Sequence, residues 1–183
     1  MPGSLLLNWR RRLHAGVTRA DPLQGYRLVI FDADDTLRRT TAPGKPCPHR
    51  QDEWELMPGV REMLRKQPWN QSGGPFLGIA SNQDQIAYGH LSYATAQALL
   101  RDLAAAAADC VPDDPALQLC PHGLETTCSC RKPEPGMLLA IMDFYGVSPN
   151  ETLFVGNHEM DREAAVRAGT AFCWSQDLFG YRV

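Results

Sequence analysis

The sequence predicts an α/β domain on a doubly wound, mostly parallel sheet, and three observations carry that reading. Four short apolar runs punctuate the chain: Leu28-Val29-Ile30-Phe31, Phe76-Leu77-Gly78-Ile79-Ala80, Thr152-Leu153-Phe154-Val155 and Thr170-Ala171-Phe172-Cys173-Trp174. Runs of that length are strands covered on both faces by helices. Helical patterns alternate with them, which favours parallel strands joined by crossovers. The 183 residues suffice for one domain with its own core.

Taken in order, residues 1–24 are expected to be a basic N-terminal extension. Arg10, Arg11, Arg12 and Arg19 stand there without an acid before Asp21, behind Trp9 and three leucines. Such a segment is loosely ordered or docked by its apolar residues. Residues 25–183 are expected to form a single domain opening on the first strand. Helices are predicted over Pro58 to Lys66, Gln83 to Ala108, Pro135 to Tyr145, and Asp161 to Arg167, the last with Gly169 as its stop. The stretch 110–134, rich in Pro, Cys, Asp and Gly, reads as an irregular loop that something must tie together.

Composition narrows the function classes. A net charge of −3 and an ordinary apolar fraction of 44% favour neither a nucleic-acid binder nor a disordered chain. No apolar stretch approaches the roughly 20 residues of a membrane span, and Leu5-Leu6-Leu7 runs too soon into arginines to act as a signal peptide. A soluble, cytoplasmic monomer is expected. Three of the six cysteines crowd into positions 120–130 beside a histidine, which is metal spacing and fits a reducing compartment.

Ligands in such sheets bind beyond the carboxyl ends of the strands, where Asp32-Ala33-Asp34-Asp35-Thr36 falls. Two carboxylates two residues apart on a strand-to-loop turn can divide the work of a displacement. Asp32 can attack phosphorus while Asp34 exchanges a proton with the leaving group and water. A divalent cation would hold the phosphate against them. The same residues can equally be a solvated turn.

The run Leu28 to Leu37, with its Asp-x-Asp-x-Thr core, resembles the signature of the haloacid dehalogenase superfamily of phosphohydrolases, and three further markers follow in the order of that family. Ser81-Asn82-Gln83 closes the second apolar run, so the resemblance gives Ser81 the phosphate-binding hydroxyl; capping the next helix is the alternative. Arg131-Lys132-Pro133 supplies the lysine that neutralises phosphate and nucleophile, Lys132. The fourth marker departs: Gly156-Asn157-His158-Glu159-Met160-Asp161 carries an amide where the family commonly has the magnesium carboxylate. The resemblance thus implies magnesium held by Asp32, Asp34 and Asn157. Binding is expected to be weaker unless Glu159 or Asp161 compensates. Ala33 and Asp35 are smaller departures.

Cys120-Pro121-His122 and Cys128-Ser129-Cys130 offer three thiolates and an imidazole, the ligand set of a closed, structural zinc site. Free thiols or a Cys128 to Cys130 disulfide are the alternatives. Cys47, Cys110 and Cys173 lie outside the cluster, and His158 is expected to be neither ligand nor base. A zinc loop running straight into Arg-Lys-Pro is similar to the heptose bisphosphate phosphatases and the related histidinol-phosphate phosphatases. In that group the cap is reduced to loops and the arginine before the lysine contacts substrate, which gives Arg131, with Asn82, a substrate-binding role. The segment Arg38 to Trp54, carrying Lys45, His49 and Arg50, is expected to stand in for the cap.

These readings converge on a magnesium-dependent phosphomonoester hydrolase acting on a small phosphorylated metabolite, with a heptose 1,7-bisphosphate the leading substrate. Catalysis falls to Asp32, Asp34, Ser81 and Lys132. The other readings are a polynucleotide 3′-phosphatase, disfavoured by net acidity, a histidinol-phosphate phosphatase, and a zinc-stabilised binding module weakened in turnover by Asn157.

Overall fold

A computed structural model describes residues 21–181; the basic N-terminal arginines lie outside the described residues. Five strands form one sheet in the order β5-β4-β1-β6-β7, with every pairing parallel. They are β1 (Leu28–Phe31), β4 (Phe76–Asn82), β5 (Leu117–Cys120), β6 (Thr152–Gly156) and β7 (Ala171–Trp174). A two-stranded antiparallel ribbon, β2 (Arg38–Thr40) with β3 (Trp54–Leu56), leaves the main sheet directly after β1. The helices are α1 (Val60–Leu64), α2 (Tyr93–Ala108), α3 (Gly136–Tyr145), α4 (Glu159–Ala168) and α5 (Ser175–Phe179).

The apolar runs are continuous because the sheet is covered twice. Along β1, Val29 and Phe31 pack with Leu64, Leu99 and Leu100 on one face, while Leu28 and Ile30 pack with Leu138, Ile141 and Ala165 on the other. Alternate side chains of a strand point to opposite faces, so both sets must be apolar when helices lie on both sides. Leu23, ahead of β1, also packs into the first of these clusters.

The predicted helix over Gln83 to Ala108 is broken. A 3-10 turn over Asp84–Ile86 is followed by Gly89 at φ 75°, and the helix starts afresh at α2, where Ser92 Oγ accepts from Thr95 N at 3.0 Å. Glycine in the left-handed region followed by a serine cap stops one helix and begins another. The helix predicted over Pro58 to Lys66 shrinks to α1, and α4 begins two residues before its predicted start.

The predicted irregular loop 110–134 contains β5, a four-residue edge strand whose Leu117 and Leu119 enter the first core cluster. Gln118 interrupts its apolar run, which hid it. The β2/β3 ribbon and α5 also lay outside the predicted elements. Among the described residues no helix is long and apolar enough to cross a membrane.

Candidate active site

All the chemistry-bearing residues predicted after β1, β4 and β6 meet at the carboxyl end of the sheet. A cleft of about 160 Å³ there is lined by Asp32, Asp34, Ser81, Asn82, Lys132, Asn157 and Asp161, together with His158 and Met160. Asp32 extends the ladder beyond β1, its N–H donating to Val155 O at 2.9 Å. The backbone that builds the core therefore also aims the nucleophile candidate.

Lys132 is buried at the centre. Its ammonium donates to Asp32 Oδ1 at 2.5 Å and to Ala80 O at 2.9 Å, and it pairs with Asp161 Oδ1 at 2.7 Å. Burial alone would favour the neutral amine, but the carboxylates of Asp32 and Asp161 outweigh it and hold the pKa above the usual lysine value. At Asp32 burial works the other way and raises the carboxyl above the ordinary range, while Lys132 opposes it and Asp161 and Asp34 add to it. Such a cation beside a nucleophile also neutralises charge arriving on a phosphoryl group.

The lysine is held by both of its neighbours in space. Asn82 Oδ1 accepts from Lys132 N at 3.0 Å and Asn82 Nδ2 donates to Lys132 O at 3.1 Å. A side-chain amide thus docks the lysine segment on the end of β4 as a strand would. Asp161 Oδ2 accepts from the N–H groups of Asn157 at 3.2 Å and His158 at 3.0 Å. A Cβ on Gly156 would lie 2.5 Å from the Asp161 side chain, so glycine is what lets that carboxylate come so close. His158 caps α4, its Nδ1 accepting from Met160 N at 3.2 Å.

Asp34 has both oxygens engaged. Arg38 Nε donates to Oδ1 at 2.9 Å and Gln83 Nε2 donates to Oδ2 at 2.7 Å. The same Gln83 amide donates to Ser81 Oγ at 2.8 Å, so Ser81 is tied to this network and does not cap a helix. Neither Arg38 nor Gln83 was predicted as a site residue. Gln83 had a signal, since it completes Ser-Asn-Gln; a lone arginine on a polar ribbon strand gives no hint that it is buried.

Asn157 stands at the end of β6 with its Oδ1 accepting from Thr36 Oγ1 at 3.0 Å. The donor set Asp32, Asp34 and Asn157 consists of oxygens, which fits a hard cation such as magnesium. Neither expected compensation for the missing charge is present. Asp161 is committed to Lys132 and two backbone N–H groups, and Glu159 is paired with Arg162 on the surface.

Cys120, His122, Cys128 and Cys130 bring their ligand atoms within 4.8 Å of one another. Sulfur separations of 3.3 Å (Cys120–Cys130), 3.5 Å (Cys128–Cys130) and 3.7 Å (Cys120–Cys128) approach the ~3.8 Å edge of a tetrahedron with zinc–sulfur bonds of about 2.3 Å. His122 Nδ1 lies 3.4 Å from Cys120 Sγ and 3.2 Å from Cys130 Sγ. None of these thiols is in a disulfide. The four side chains therefore fit a closed zinc site. Arg131 leaves this cluster with its N–H on Cys128 Sγ at 3.4 Å, and its guanidinium donates to His122 O at 3.2 Å and Asp84 Oδ2 at 3.0 Å.

The segment expected to stand in for a cap joins β2 to β3. Glu53 organises it, accepting from Lys45 Nζ at 2.7 Å and His49 N at 2.8 Å and pairing with Arg50 at 3.1 Å. The His49 ring stacks on that of His90, centroids 6.3 Å apart, which ties the segment to the turn before α2.

Residues 49–169 match the family model of haloacid dehalogenase-like hydrolases. A D-glycero-beta-D-manno-heptose-1,7-bisphosphate 7-phosphatase of Pseudomonas putida is 36% identical over 121 residues, 64% of this chain and 66% of the relative. A D-glycero-alpha-D-manno-heptose-1,7-bisphosphate 7-phosphatase of Mycobacterium tuberculosis is 30% identical over 165 residues, 85% of this chain and 82% of the relative. The crystal structure of the D,D-heptose 1,7-bisphosphate phosphatase of B. bronchiseptica, complexed with magnesium and phosphate, superposes with a TM-score of 0.64 at 31% identity. That match covers 80% of this chain and 78% of the other.

Proposed function

The chain belongs to the haloacid dehalogenase-like hydrolases, with phosphatases as its named relatives, and from that premise we propose that it hydrolyses a phosphomonoester of a small phosphorylated sugar. A heptose 1,7-bisphosphate is the first substrate to test, because relatives acting on both the alpha and the beta form share about a third of their aligned residues with this chain. The observation that carries the reading is Lys132 held between Asp32 and Asp161 at the floor of the cleft.

In the proposed reaction Asp32 attacks phosphorus and the bond to the leaving oxygen breaks. Asp34 delivers a proton to that oxygen, then takes one from the water that releases phosphate from Asp32. Ser81 and Lys132 hold the phosphoryl oxygens, and Arg131 with Asn82 faces the rest of the substrate. Magnesium, held by Asp32, Asp34 and Asn157, would supply charge neutralisation of the phosphoryl group. Zinc on the four-residue cluster would be structural, since four protein ligands leave no open position. The reading places the chain in a reducing cytoplasm, in keeping with six unpaired cysteines.

A panel of phosphorylated sugars, amino alcohols and 3′-phosphorylated oligonucleotides, with and without magnesium, tests the proposal. Magnesium-dependent phosphate release that disappears in Asp32→Asn is the expected result. The uncompensated amide at Asn157 favours a second reading, a binding module with little turnover, and phosphate binding without release across the panel would select it.

A further inference from the structure

Arg38 is among the largest fully buried side chains of the molecule, and it lies outside the residues given a role in the reaction above. A guanidinium out of water is costly unless it is paired and hydrogen-bonded. Among the described residues its one ion-pair partner is Asp34, the proton-transfer residue, at 2.9 Å. Its other contacts fix its direction: Nη1 donates to Leu99 O at 3.3 Å, and the guanidinium carbon stands 6.0 Å from the Trp54 ring centre. The backbone holds the same geometry, with Arg38 N donating to Ala33 O at 3.1 Å and Asp35 N donating to Arg38 O at 2.6 Å. The loop bearing Asp34 is thus closed on the residue whose side chain grips Asp34.

The other Asp34 oxygen meets Gln83, itself buried, whose amide nitrogen is shared with Ser81 and whose Oε1 has no hydrogen-bond partner among the described residues. That orphaned oxygen is the cost of turning both N–H donors toward the site. We propose that Arg38, assisted by Gln83, is a positioning residue for proton transfer, acting through Asp34 and never touching substrate. The inference rests on the phosphomonoesterase reading. When Asp34 gives its proton to the leaving oxygen, the carboxylate it becomes is received by donors already in place. In the second half, as the oxygen of water bonds to phosphorus and the Asp32–phosphorus bond breaks, the same carboxylate accepts the water proton and is ready to donate again. A preorganised donor pair of this kind favours the charged state without reorganisation.

A role through Asp34 has a signature that a structural role lacks, because protonation of the leaving group matters for an alkyl phosphate and hardly at all for p-nitrophenyl phosphate. Arg38→Met, close to arginine in length and uncharged, is expected to lose on the order of a hundredfold, the scale of general acid catalysis, on the alkyl ester in kcat/KM, which covers only the steps up to departure of the leaving group. Its loss on the aryl ester should stay under about tenfold. Arg38→Lys keeps the charge without the fork and should fall between the two, which keeps the test open if the methionine variant does not fold. In an Asp34→Asn background Arg38→Met should add no further loss on the aryl ester. Equal losses on both esters, or an added loss without Asp34, would overturn the proposal while leaving the phosphatase reading intact. A wild-type chain that releases phosphate from neither ester would overturn both.

Discussion

At Asn157 a neutral oxygen occupies the position where a carboxylate would add a full negative charge to the cleft, and Asp161 and Glu159, the two nearby acids, are committed elsewhere. Asn157→Asp is therefore expected to lower the magnesium concentration for half-maximal activity about tenfold, or roughly 1.4 kcal/mol; an unchanged magnesium titration would refute that account. Asp35 poses a different residue-level problem. It sits at φ 59°, in the left-handed region, and burial followed by the charge of Asp34 raises its carboxyl. Glycine removes both strains, so Asp35→Gly should raise stability by about 0.5–1 kcal/mol in urea titrations. The side chains that line the cleft were legible because strand ends and family markers fall at fixed places. Arg38 and Asp84 were not, since their importance lies in contacts with residues 4 to 61 positions away, such as Arg38 with Leu99 and Asp84 with Arg131.

Among the elements, strands with an unbroken apolar run could be read from the sequence, β7 at the sheet edge included, and strands interrupted by polar residues could not. β1, β4 and β6 are apolar on both faces and left an unbroken signal, whereas β5 carries Gln118 in its middle, and the β2/β3 ribbon carries Arg38, Arg39 and Glu55 among its residues. The thiol and imidazole spacing pointed to the Cys/His cluster but not to β5 leading into it. Since that loop ends one residue before Arg131, Cys128→Ala or prolonged chelation should lower the melting temperature by several degrees. Zinc-replete protein whose melting temperature does not change on losing Cys128 would sink the structural-clip proposal. In the ribbon loop, hydrogen bonds from Lys45 and then from His49 N hold the Glu53 carboxyl down at about 2. A depressed folded pKa contributes stability that is fully present above the ordinary carboxylate value and lost as pH falls toward 2. The stability gap between the wild type and Glu53→Gln should accordingly close as pH drops from about 4.5 to 2 in thermal melts.

At the scale of the whole molecule the second core cluster reaches up to the cleft. Phe154 is fully buried in the second cluster, and the Lys132 ammonium stands 5.4 Å from its ring centre. Phe154→Ala should cost about 3–5 kcal/mol of stability and weaken phosphate binding in the same variant; a loss of stability with phosphate affinity untouched would show that core and site are uncoupled. Because all five strands of the sheet run the same way, every group assigned to chemistry stands on one rim. A strand of five residues spans about 16 Å. The far rim, where residues Gln71, Ser72 and Gly73 turn in solvent ahead of β4, is therefore a strand length away from the reaction. The parallel order thus acts as an architectural partition, and a peptide tag spliced between Ser72 and Gly73 would ride on the back of a working enzyme.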